Sequence, residues 1–119
     1  MAINAINVPV GHWGFMVNFD SADVSGSETI LAAGGAGTII YLDQLWLNWA
    51  GAITLTVGAG TGGGAVTAPY VGPVLGAAGV TLHWDFRSRG GIKFPVNTLL
   101  GIDGSGAGQI SGFVSGRIV

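Results

Sequence analysis

The chain has 119 residues, of which 23 are glycine and none is cysteine, and its four Lys+Arg against six Asp+Glu give a formal net charge of −2. Only 8% of residues are charged, against about 25% in an ordinary soluble domain, and the mean hydropathy is +0.59. These values exclude a disordered chain, a basic nucleic-acid-binding surface, a disulfide framework and any cysteine-ligated metal or thiol nucleophile. The length is that of one domain, which exposes much of its surface when alone. With so few charges that surface is predicted to be apolar and covered by partners. A membrane is not the expected cover. The most apolar stretch, 45–57, is interrupted by Asn48, Gly51, Thr54 and Thr56 and falls short of the roughly 20 apolar residues that a spanning helix needs. Residues 1–10 have neither a basic start nor an uninterrupted apolar core, so no secretory signal is expected.

In chain order, residues 1–27 carry Trp13, Phe15 and Phe19 among Gly, Asn and Asp and read as an extended arm whose aromatics find burial on something else. Residues 28–119 read as a β-sandwich of short strands divided by glycine-rich turns. The segment 38–49 is apolar on both faces in strict alternation. Ile39, Tyr41, Leu45, Leu47 and Trp49 fall on one side, and Ile40, Leu42 and Trp46 on the other. A strand buried on both sides lies in the middle of something, so a second subunit is expected over one face. In 52–57, Ile53, Leu55 and Val57 alternate with Thr54 and Thr56; in 80–86, Val80, Leu82, Trp84 and Phe86 alternate with Thr81, His83 and Asp85. In 109–118, Ile110, Val114 and Ile118 share a face with Gly112 and Gly116, opposite Gln109, Ser111, Phe113, Ser115 and Arg117. Weaker strands are expected at 28–32, 66–71, 91–94 and 99–102, with turns at 33–37, 58–64, 76–79, 90–91 and 104–108. No amphipathic helix is visible. The fold class is therefore all-β, an antiparallel sandwich or jelly roll with an N-terminal arm.

Candidate chemistry is sparse. His83 and Asp85 share a strand face and could pair as a dyad aimed at Ser88 or Ser111, but no nucleophile elbow or metal-ligand spacing accompanies them. The loop after Asp103 supplies one carboxylate and lacks the further oxygen ligands of a calcium loop; Asp20 and Asp23 could join it in the folded form, which spacing alone does not show. The glycines of 58–64 are followed by neither a helix nor a Walker lysine, so they read as a turn and not as a phosphate cradle. The expectation is a protein that is not an enzyme, with no catalytic residues, no cofactor and no metal. Arg87, Arg89 and Lys93 form the one basic cluster, suited to an acidic partner or a glycan. Among the tryptophans, packing is favoured over sugar stacking. Leu42, Trp46 and Phe113 are the predicted subunit-interface residues. Trp13, Phe15, Phe19, Arg87, Arg89 and Lys93 are the predicted contacts to a larger partner.

The residues Arg89-Gly-Gly-Ile-Lys-Phe94, Asn97-Thr-Leu-Leu-Gly-Ile102 and Gly106-Ala-Gly-Gln-Ile-Ser-Gly-Phe-Val-Ser-Gly116 resemble the C-terminal half of small tailed-phage virion proteins with a tumour-necrosis-factor-like jelly roll. The resemblance covers residues 28–119 and is one of pattern. It implies a homotrimer bound to the outside of a phage head as a decoration or cement protein, bridging capsomers of the major capsid protein with the help of an N-terminal arm, without direct nucleic-acid contact. The runner-up reading is a receptor- or glycan-binding module of a head or tail fibre, with Arg87, Arg89 and the 58–64 loop facing the ligand.

Overall fold

In a computed structural model, which describes residues 4–7, 14–22 and 24–119, the chain forms two antiparallel sheets packed face to face. The strands are β1 (Asn4–Asn7), β2 (Gly14–Ser21), β3 (Gly26–Leu31), β4 (Ile40–Trp49), β5 (Ile53–Gly62), β6 (Ala65–Gly76), β7 (Thr81–Asp85), β8 (Ile92–Lys93), β9 (Leu100–Gly104) and β10 (Ile110–Ile118). One sheet runs β1-β2-β10-β4-β7, with β8 also pairing with β4, and the other runs β3-β9-β5-β6. Apart from the short β1 and β8, chain order alternates between the sheets except at the β5–β6 hairpin. The first and last long strands, β2 and β10, are neighbours. This is the strand order of a jelly roll.

The boundary expected between an arm at 1–27 and a sandwich at 28–119 does not hold. Gly14–Ser21 pairs along its length with β10 and alternates exposed and buried residues. Phe15, Val17 and Phe19 belong to the same core as Leu45, Leu55, Leu100 and Val114. The aromatics of this segment find their burial within their own chain, over glycines. Phe15 is directly opposite Gly116 and Phe19 directly opposite Gly112. A Cβ at Gly116 would lie 2.8 Å from Phe15 Cζ and would also strike the Tyr41 carbonyl; a Cβ at Gly112 would collide with the Phe19 ring. The Trp49 indole occupies the equivalent space at Gly76 and donates its Nε1–H to the Ile53 carbonyl at 2.8 Å. These glycines are sockets for rings in strand interiors, where the missing side chain admits a close neighbour.

The two-faced reading of 38–49 is also corrected. Ser115 is opposite Gln44, whereas Gly116 is opposite Leu42, so Asp43 is an extra residue on β4. Such a bulge shifts the alternation by one. Ile40 and Leu42 before it, and Leu45, Leu47 and Trp49 after it, therefore all point into the core. Tyr41, Trp46 and Asn48 lie on the opposite face. Leu42, predicted at a subunit interface, is fully buried in its own subunit.

The inward positions expected in β5, β7 and β10 hold, with Trp84 and Phe86 packed against the core and Leu82 left half-open on an edge strand, but Thr56, expected to face outward, is buried. The run at 58–64 is mostly strand. The reversal is made by Gly63 and Gly64 at φ 61° and 78°, the two positive-φ positions that a tight primed hairpin turn requires. Gly58 is within the strand, and a Cβ there would collide with the Ala68 carbonyl. Replacing Gly116 with Val should lower unfolding free energy in urea by about 1–3 kcal/mol or more. Gly106→Ala, where a Cβ meets nothing within 4 Å, should change it by less than about 0.5 kcal/mol.

Candidate functional site

The outer face of the β2-β10-β4-β7 sheet carries residues in rungs, because adjacent strands hold their outward side chains in register. One rung runs Asn18, Phe113, Trp46, His83 and the next runs Asp20, Ser111, Asn48, Thr81. The first is aromatic in its centre. Trp46 is 38% exposed, and His83 stacks on it with ring centroids 3.9 Å apart and planes 11° from parallel. The imidazole thus covers one face of the indole. The second rung is polar and internally bonded. Thr81 Oγ1 donates to Asn48 Oδ1, and Asn48 Nδ2 donates to Ser111 Oγ at 3.4 Å. Between them lies an open groove of about 540 Å³ lined by Asn18, Phe19, Asp20, Trp46, Asn48, Thr81, Ser111, Gly112 and Phe113. Trp46 and Phe113, both predicted as interface residues, are thus brought together; Leu42 is not among them.

The basic residues gather at another place on the same sheet. Lys93 is opposite Tyr41, and Tyr41 is opposite Arg117. Arg117 lies over the Tyr41 ring at 4.4 Å, reaches Asp43 at 3.4 Å and donates to the Gly90 carbonyl at 2.9 Å. The sequence cluster missed Arg117, which is delivered by β10 and carries no local signal. Asp43 and Asp85 in turn neutralise part of the cluster: Asp85 Oδ2 is 2.7 Å from Arg87 Nη2. Arg89 and Lys93 stay exposed.

The His83–Asp85 pairing that the sequence would allow does not form. Both Asp85 oxygens accept from the Arg87 side chain, and Oδ1 also accepts from its backbone N–H. Ser111 is separated from β7 by the whole of β4. Asp103 has a structural task, its Oδ2 accepting the Val66 backbone N–H at 2.7 Å. Among the described residues, no three metal-ligating side chains cluster, and no helix is long and apolar enough to cross a membrane. Of the expected contacts to a larger partner, Phe15 and Phe19 are buried in the core, which corrects that expectation. Trp13 lies outside the described residues, as do His12 and Asp23.

The chain matches no protein-family model, no curated protein and no solved structure.

The Arg87 side chain, then its backbone N–H, hold the Asp85 carboxyl down at about 2 from the ordinary 3.8. A lowered value in the folded chain means that the pair contributes fully above the ordinary carboxyl value and fades as pH falls through about 2. An NMR titration should find the Asp85 midpoint near 2, and Arg87→Gln should return it towards 3.8.

Proposed function

We propose that this chain is a virion structural protein, a homotrimeric decoration protein that binds the outside of a phage head and stabilises it by bridging copies of the major capsid protein. The observation that carries this reading is the β5–β6 side of the sandwich. Neither strand contains a charged residue, and β6 is the edge of its sheet. Leu75 there is 73% exposed, and Tyr70, five residues earlier on the same strand, is 37% exposed and lies edge-on to Phe94 at 5.1 Å. A long uncharged edge invites association. Pro69 and Pro73 remove two of its backbone donors, so contact there is through side chains and not through an added strand. A second copy of an equally charge-poor chain is the cover best matched to this edge. Arg89 and Lys93, both exposed, stand on the turn after β7 and in β8, where they can meet an acidic capsid surface. This work needs no chemistry beyond burial of apolar area, at roughly 25 cal/mol per Å² removed from water.

Sedimentation of the purified chain at micromolar concentration should give a trimer. Leu75→Lys together with Tyr70→Lys should weaken association by roughly tenfold or more with an unchanged far-ultraviolet spectrum. Gold-labelled antibody should mark the outer surface of heads, with occupancy reduced by Arg89→Glu and Lys93→Glu. A wild-type chain that stays monomeric, or label confined to tails, overturns the proposal.

A further inference from the structure

We propose that the groove between the two rungs is a binding site for a neutral oligosaccharide. In this site the indole face of Trp46 that His83 leaves uncovered and the ring of Phe113 stack against the apolar faces of the sugar rings, and Asn18, Asn48 and Ser111 hydrogen-bond their hydroxyls. This goes beyond the decoration reading and does not depend on it, because it uses a different face of the molecule.

The geometry favours this ligand class over others. A pyranose ring presents an apolar C–H face and a rim of hydroxyls that both donate and accept. Its receptor needs an aromatic plane next to a row of side chains with both capacities. The two rungs supply these side by side. Neighbouring rungs are two residues apart along each strand, a separation of about 7 Å and comparable to the width of one sugar ring. The four strands β2, β10, β4 and β7 give a length of three interstrand spacings, roughly 14 Å, enough for a di- or trisaccharide. The volume of about 540 Å³ lies within the range of small-molecule sites.

The platform is also built in advance of any ligand. His83 holds one face of the indole at 3.9 Å, which limits the side-chain entropy lost on binding. The Thr81–Asn48–Ser111 chain orients the amide and hydroxyl groups. Among the described residues the lining holds no basic side chain, so nothing there favours phosphate, sulfate or another anion. A peptide strand has nothing to pair with. β2, β10 and β4 are each flanked by strands on both sides, so their backbone groups face neighbours and not the groove.

The test uses the full chain labelled with ¹⁵N. It is titrated at millimolar concentration with neutral trisaccharides of glucose, mannose and N-acetylglucosamine, alongside an array that also carries sialylated and sulfated glycans. At least one neutral glycan should shift the signals of Asn18, Asn48, Ser111, Phe113 and the Trp46 indole. Trp46→Ala and, separately, Asn48→Ala should each weaken binding by roughly tenfold while the spectrum stays dispersed, and Val96→Ala, at an exposed position outside the lining, should leave it unchanged. Four outcomes overturn the proposal: no binding to any neutral glycan, binding only to acidic glycans, shifts clustered away from this face, or a Trp46→Ala variant altered only in sedimentation. The last would assign the face to a second copy of the chain. Failure here leaves the head-labelling result standing, and the reverse also holds.

Discussion

The rest of the sandwich depends on rings seated over glycines. Phe15 and Phe19 on β2 lie against Gly116 and Gly112 on β10, and Trp49 on β4 lies against Gly76 on β6. A large ring opposite a bare Cα fills the space that the glycine leaves, so strands rich in glycine still bury a dense core. The arrangement couples distant parts of the chain. Without β10 the two phenylalanines have no seat, and without β2 the glycines would leave a gap in the middle of the larger sheet. The high glycine content therefore has two separate sources. Some glycines make turns, as at Gly63 and Gly64, and others are positions where any side chain would collide with a neighbour.

A second constraint, the bulge at Asp43, decides what the outside of the larger sheet presents. By inserting one residue it turns Leu42 and Leu45 to the same side. The outer face is left with Tyr41, Trp46 and Asn48 in place of a second apolar layer. The same irregularity places the Asp43 carboxylate beside Arg117. One extra residue thus separates an aromatic and polar groove from a cluster of charges on a single sheet face.

Much of this was legible in the sequence. The inward positions expected from the period-two alternation of β5, β7 and β10 hold in the structure, and the all-β class follows from that alternation. The arm was misread because its partner is at the other end of the chain. The clue lay in matched spacing, Phe15 to Phe19 and Gly112 to Gly116 being the same interval, which antiparallel pairing brings into coincidence. The bulge had no local signature in an apolar run, where either phase looks equally good, and so Leu42 was assigned to the wrong face. Trp46 and Phe113 were expected at a subunit interface, and the structure places both on the outer face of the larger sheet. Their polar companions Asn18, Asn48, Thr81 and Ser111 are ordinary strand residues one at a time and become a site only through register across four strands.

The pairing of β2 with β10 also has a consequence for synthesis. The ribosome delivers the phenylalanines among the first strands and their glycine seats in the last one, so the larger sheet cannot close around its centre until nearly the whole sandwich has emerged. Until then Phe15 and Phe19 are open to any apolar surface nearby, in a chain with few charges to keep such intermediates apart. A chain of this design is exposed to self-capture while it is being made, during the interval before β10 arrives.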